Sequence, residues 1–305
     1  EVEDEKKSTF FGNYEAKTEV ITSNELVKDA CCDLSGCFGR NSSVDVAVTD
    51  ILTDSKELRV LGLEGVYTQV LVENMPIIGG LNTKYSISSI PGTLIDRIMV
   101  TKGANSVLQG YESISGIVNV ILKDYKTSDR LFLNAFMNGS LEKQFNANLS
   151  KEFSKKWSTL FSLHTTQKSN RIDENNDSFL DMPLITRYTA FNKWAYGDVE
   201  DETQFSAAAR IWFEDRIGGQ SGFNDDKDEG SSSVYGQTVH IKSGEAFTRF
   251  SRDFKNGNSL KILLSGSHYN LQSYYGITKY NAKQNIFNSS LIYEIELPGE
   301  NFLKT

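Results

Sequence analysis

From residue 130 to residue 297, apolar and polar side chains alternate with a period of two, in segments of about ten residues separated by turn residues. In QFNANLSKEF, Phe145, Ala147 and Leu149 share one face, and Gln144, Asn146, Asn148 and Ser150 the other. WSTLFSLHT sets Trp157, Thr159, Phe161 and Leu163 against Ser158, Ser162 and His164, with Leu160 out of phase. QFSAAARIWF gathers Phe205, Ala207, Ala209, Ile211 and Phe213 on one side, and FNSSLIYEI does the same with Phe287, Leu291, Tyr293 and Ile295. Side chains of an extended chain point to alternate faces, so the pattern predicts about eight antiparallel strands.

The connections differ in length. EFSKKWS, YGDVEDE, FKNGNS and LPGEN are short and polar. QKSNRIDENNDSFLDMPL, EDRIGGQSGFNDDKDEGSSSVYG and the stretch around NLQSYYGITKYN are long, while NGSLEK is short where a long loop is due. Tight turns at one end and long loops at the other are the arrangement of outer-membrane barrels. A soluble sandwich or soluble barrel alternates too, and alternation alone leaves both open.

Residues 1–124 follow another grammar. Short apolar runs such as VLVEN and DRIMV read as strands, and a helix is expected where Ser89 caps, Pro91 enters the first turn and GTLIDRI follows. The two parts also differ in composition: residues 1–124 hold 7 of the 34 aromatic residues, and all three Trp lie beyond them. These two parts read as a small α+β domain (residues 1–124) followed by antiparallel β-strands (residues 125–305), antiparallel transmembrane β-barrel strands being one of the two arrangements that the alternation leaves open.

Net charge narrows the partners. At -8 the chain carries no basic footprint for nucleic acid. No apolar run approaches the ~20 residues of a membrane-spanning helix, which leaves membrane β-barrels untouched. The start, EVEDEKKSTF, has neither an initiator Met nor an apolar signal core and reads as trimmed.

One stretch connects the two parts. DRIMVTKGANSVLQGYESISGIVNVILK resembles the closing signature of the plug domain of TonB-dependent outer-membrane receptors. The matching positions are Ile98, Val100, Lys102, Gly103, Ser106, Leu108, Gly110, Ile114, Gly116, Val118, Asn119 and Val120. Ala104 stands where that family has Pro, and Ser115 where it has the first Gly of a pair. Upstream, ELRVLGLEGVYTQVLVENMPII resembles the earlier plug segment, with Leu61 interrupting its Arg-Gly turn and Glu73-Asn74 in place of Asp-Gly. The glycines then make physical sense: small residues let a plug's backbone lie close to the barrel wall, and glycine allows its bends.

The resemblance implies uptake of a scarce nutrient across the outer membrane of a Gram-negative bacterium, driven through the TonB-ExbB-ExbD complex, with a surface lipoprotein as a further candidate partner. A ferric siderophore, haem, cobalamin or other metal chelate is the favoured substrate class. It implies gating by plug movement, with no enzyme activity, no catalytic residues and no required cofactor. A glycan or peptide importer, or a plug-bearing barrel kept as a structural or assembly component, remains the alternative. Size agrees with the resemblance. A domain of about 120 residues has a radius of gyration of roughly 14 Å, while eight strands enclose only their own side chains. The visible strands are therefore expected to be the first part of a larger barrel, twenty-two-stranded in that family. No segment of EVEDEKKSTFF matches a TonB box.

Three further features invite chemistry. In DENNDSFLD, Asp173, Asn175, Asp177 and Asp181 hold positions 1, 3, 5 and 9 of a loop, a spacing that suits Ca²⁺, although Ser178 replaces the usual Gly and Leu184 the closing Glu. The alternative is a solvated acidic loop. Cys31, Cys32 and Cys37 admit three readings: a disulfide such as Cys32 with Cys37, a soft-metal contact, or small buried residues without chemistry. His164, His240 and His268 lie far apart with no nucleophile or acid partner nearby, and read as polar wall residues.

Overall fold

The computed structural model describes residues 18–28, 31–39, 41–103, 113–198, 200–297 and 301–304. Its first sheet has the order β1-β6-β7-β4-β5, built from β1 (Thr18–Ile21), β4 (Thr68–Val72), β5 (Met75–Ile78), β6 (Ile95–Lys102) and β7 (Gly116–Leu122). All neighbours are antiparallel except β4 and β7. A separate hairpin, β2 (Val44–Asp50) and β3 (Ser55–Val60), packs beside it. Two short helices complete the domain, α1 (Ser23–Lys28) and α2 (Thr83–Ser86). Thr22 and Glu25 start α1, the Glu25 carboxylate accepting from the Thr22 amide (2.7 Å) and hydroxyl (2.8 Å).

The helix expected after Ser89 is absent. The Ser89 hydroxyl donates back to the Ser86 carbonyl (2.7 Å), Pro91 is extended, and a single 3₁₀ turn at Gly92–Leu94 leads straight into β6. Ile95, Ile98, Met99 and Val100 are buried on both faces of that strand. A strand covered on both sides loses its alternation, and its apolar spacing then imitates a helix.

Nine strands in chain order form the second sheet, β8 (Leu131–Met137) to β16 (Asn301–Lys304), all antiparallel. Between them lie β9 (Lys143–Glu152), β10 (Trp157–Lys168), β11 (Leu184–Tyr196), β12 (Thr203–Gly219), β13 (Gly236–Asp253), β14 (Ser259–Tyr275) and β15 (Thr278–Leu297). Among the described residues β8 pairs only with β9, and β16 only with β15, so the sheet curves without closing. Two of the expected long loops are present, at 169–183 and 220–235. The third is strand: Tyr275 pairs with Thr278 across a two-residue turn in which Gly276 has φ +60°.

Burial follows the period-two pattern, but inverted relative to a soluble sheet. Leu131, Leu149, Phe161, Asn192, Ala209, Ala246, Gly266 and Phe287 are register partners in one row across β8 to β15. That row faces outward; Phe287 is 75% exposed and Leu149 54%. Its one amide, Asn192, is satisfied by Thr159, the Leu160 carbonyl and the Trp194 indole. Near the short turns, Trp157 meets Tyr196 (5.1 Å), Phe153 meets Trp194 (5.3 Å) and Phe254 meets Tyr293 (6.4 Å), as in an interfacial aromatic girdle. Outward-facing Lys242 and Asp215 end the apolar band towards the other side. An outward apolar face with buried polar positions behind it suits a wall set in lipid around a filled lumen.

The first domain covers the inner face. Leu160, whose phase is wrong for that face, is 1% exposed and joins Phe191, Ala208, Phe247, Leu263 and Ile292 in one core with the domain's own Ile87, Ile90 and Val118. A second cluster unites Tyr85 of α2 with Trp212, Val239, Ile241, Tyr269 and Leu271 of the wall.

Candidate functional site

No cleft with converging acid, base and nucleophile dominates the described residues. What stands out is the seam where the domain meets the inner wall, because the wall lines it with buried cations. Period two places Arg210, Glu214 and Arg216 on the inner face of β12, two or more positions apart, while Ile211 and Phe213 face outward. The same rule turns Arg187 and Lys193 of β11 and Arg249 of β13 inward.

These cations hold the domain chiefly by its backbone. Arg216 donates to the Thr53 and Asp54 carbonyls, 2.7 Å each, at the tip of the β2–β3 hairpin, and its guanidinium lies 4.9 Å from the Tyr85 ring centre. Arg187 donates to the Ser88 carbonyl (2.5 Å), and Arg210 to the Ser89 hydroxyl (3.0 Å). Their charges are balanced on the wall itself. Glu214 takes Arg187 and Arg216, and Glu245 takes Arg210 in a two-pronged pair at 2.8 and 3.0 Å. Neutral contacts flank them: Thr93 to Asn146 (2.9 Å), Asn288 to the Pro76 carbonyl (3.0 Å) and the Leu81 amide to Gln284 (2.9 Å).

The β4–β5 turn differs. Glu73 and Asn74 both adopt left-handed conformations (φ +54° and +67°), the pairing that a type I′ two-residue hairpin turn requires. Asn119 of β7 holds Asn74 twice, accepting from its amide (3.0 Å) and donating to its side-chain oxygen (2.6 Å). The Glu73 carboxylate is fully buried, 2.9 Å from Lys193 and 2.8 Å from Arg249, and accepts from the Leu122 amide at 2.9 Å. Burial pushes its pKa up, but Arg249 and Lys193 outweigh that and hold it below the usual range.

Of the expected signature residues, Lys102 ends β6 half-buried, Gly103 follows at φ +87°, and Gly116 starts β7. A Cβ on Gly116 would lie 2.4 Å from the Thr101 carbonyl and 2.9 Å from Val60. At Gly116 the close approach is therefore to the domain's own strands rather than to the wall. Ser106, Leu108 and Gly110 lie outside the described residues. Asn119 sits 4% exposed beneath the turn it holds.

The loop residues proposed for Ca²⁺ bind their own backbone. Asp173 accepts from the amides of Asp177 and Ser178, Asn175 from Asp177, Asp177 from Phe179, and Asp181 from Glu174. Among the described residues no group of three or more His, Cys, Asp or Glu side chains is placed to hold a metal ion. Cys31, Cys32 and Cys37 are not joined to one another; Cys37 is buried and donates to the Asp33 carbonyl (3.3 Å). Burial, with the nearby Glu142, Asp33 and Cys31, pushes the Cys32 thiol up to about 11, away from the thiolate that a soft metal needs. A Cβ on Gly92 would lie 2.2 Å from the Cys31 carbonyl, so this segment is packed tightly under the Pro91 turn.

The histidines are dispersed. His164 is buried between Asn146 (2.7 Å) and Thr166 (2.8 Å) on the inner wall, while His240 and His268 meet Asp215 and Asn285 on the outer surface. Sequence reading missed the inward arginines, Lys193, Glu214, Glu245 and the buried role of Glu73. The spacing of Arg210, Glu214 and Arg216 within an otherwise apolar strand was the signal for three of them.

Comparison with known proteins follows the same division. Residues 13–117 match the family described as TonB-dependent Receptor Plug Domain. The chain is 24% identical over 141 residues to the Vitamin B12 transporter BtuB of Vibrio vulnificus (strain CMCP6), covering 45% of this chain and 23% of that protein. Its fold resembles that of the pyoverdine outer membrane receptor FpvA from Pseudomonas aeruginosa PAO1 (TM-score 0.71, 13% identity, 95% of this chain and 45% of that one). The siderophore receptor PiuA from Acinetobacter baumannii gives a TM-score of 0.69 at 11% identity, over 93% of this chain and 43% of that one. At those identities the likeness to the solved structures is one of fold, and the chain spans under a quarter of the BtuB relative.

Proposed function

The chain carries a TonB-dependent receptor plug domain joined to part of an antiparallel β-barrel, and from that premise we propose that it serves active import across a Gram-negative outer membrane. The observation that carries this reading is the seating of the plug. Its β4–β5 turn, the segment that follows α2 and the β2–β3 tip all bind the polar inner face of a wall whose outer face is apolar. A lumen filled in this way blocks diffusion, so passage needs the plug to move, and work must come from outside the barrel. The energy source we infer is the TonB-ExbB-ExbD complex of the inner membrane.

A metal chelate is the substrate class we favour. It rests on what the relatives are called, a vitamin B12 transporter and receptors for siderophores. Burial raises the pKa of the Cys32 thiol, which disfavours a soft-metal contact at that residue. The test uses the full-length protein in cells stripped of their own chelate importers, with and without TonB. Uptake of cobalamin or of a ferric siderophore that requires both this protein and TonB is expected. Uptake that ignores TonB, or no uptake from a panel of chelates, glycans and peptides, overturns the reading.

A further inference from the structure

The seam contains two kinds of charge. Arg187, Arg210 and Arg216 donate their hydrogen bonds to plug carbonyls and a hydroxyl, and keep their nearest carboxylates, Glu214 and Glu245, on the wall. If the plug withdraws, those pairs stay intact. Glu73 is different: its carboxylate belongs to the plug and its cations, Lys193 and Arg249, to the wall. The other buried pair across the seam, Arg187 with Asp33, stands at 4.0 Å, and Arg187 lies closer to Glu214. Withdrawal at Glu73 therefore separates charges that burial has stripped of water.

The surroundings fix this carboxylate in place. Glu73 sits in a left-handed conformation, which non-glycine residues seldom adopt, and its own amide donates to the Val120 carbonyl (2.8 Å). Lys193 also approaches the Leu122 carbonyl (3.4 Å), so one ammonium touches both the β4–β5 turn and the end of β7. Asn119 locks the adjacent Asn74. The turn can leave the wall only as a unit with β7.

We propose that Glu73 is the latch of the plug, a positioning residue whose ion pair with Lys193 and Arg249 sets how readily the closed lumen opens. The proposal rests on the gating reading above but is tested apart from it, without TonB or substrate. Full-length protein is reconstituted into liposomes, and entry of a small hydrophilic solute is measured beside the unfolding temperature of the barrel. Glu73→Gln, which keeps shape and removes charge, raises the leak by about tenfold or more while the unfolding temperature holds. Lys193→Gln combined with Arg249→Gln reproduces the leak from the wall side, and decides the matter if the first variant fails to assemble. Restoration of the seal in Glu73→Asp supports a charge-based latch. Variants as tight as the unaltered protein, or a leak that only accompanies a lowered unfolding temperature, overturn the proposal. Loss of TonB-dependent uptake by the unaltered protein would instead count against import and leave the leak result standing.

Discussion

Gly218 of the wall lies directly beneath Leu52 of the plug: a Cβ at Gly218 would fall 1.8 Å from the Leu52 carbonyl oxygen and 2.7 Å from its carbon. The hairpin tip held by Arg216 thus rests on bare backbone. Gly218→Ala is expected to lift that tip, at a cost of about 1–3 kcal/mol for forced overpacking. Faster proteolysis within residues 44–60, with the barrel unchanged, is the readout; unchanged cleavage would show that the tip yields freely.

The outward apolar row makes a second expectation. Ile211→Arg puts a charge into the lipid-facing band, which costs about 2–4 kcal/mol near the bilayer midplane. Lys242, on the same face beyond the band, already carries a charge. Folding into lipid vesicles, followed by denaturant titration, should show the loss for Ile211→Arg and little change for Lys242→Arg. Equal effects would argue against a bilayer around this wall.

Loop 220–235 should respond to pH. His240, above the apolar band, meets Asp215 at 2.6 Å and Glu229 at 3.6 Å, and Glu229 also accepts from Thr238 (2.6 Å). The hydrogen bond to Asp215 raises the His240 pKa; burial opposes this, and the charges of Asp215 and Glu229 reinforce it. A raised pKa means that the contact is fully present below the ordinary histidine value of about 6.5 and is lost as pH climbs through the raised value. Amide exchange in this loop, corrected for its intrinsic pH dependence, should quicken between pH 6 and pH 9. His240→Asn should flatten that change.

Cys32 should react slowly. With its pKa at about 11, only about one thiol in a thousand is ionised at pH 8. Residue-resolved alkylation should find labelling of Cys32 far slower than that of an ordinary exposed thiol, rising about tenfold per pH unit. Rapid labelling at pH 7 would show that the site opens or that the thiol is activated.

The wall was legible because an exposed apolar face on one side and a largely polar face turned to the plug on the other produce a period-two pattern. Leu160 is an informative departure, one of several apolar residues on the inner face, with Phe191, Phe247 and Leu263, that become part of the plug's core. The strand after Ser89 was misread because burial on both faces removes the alternation that distinguishes strand from helix. The extended β14–β15 hairpin was misread as a loop because Asn270, Gln272 and Tyr274, past the apolar band, look like loop residues. The seam itself stayed hidden for a different reason. Glu73 and its cations are 120 and 176 positions apart, as the pairs Glu73–Lys193 and Glu73–Arg249 show, and no local pattern relates residues at such distances.

Residues 123–130 are all that joins β7 to β8. Fully stretched, such a strap spans at most about 29 Å, and its near end is anchored where the Lys123 amide donates to the Leu94 carbonyl. The plug is thus leashed at its rear to the mouth with the short turns. That root adjoins Glu73, whose carboxylate accepts from the Leu122 amide, so the covalent tether and the ion pair to Lys193 hold one and the same corner of the domain.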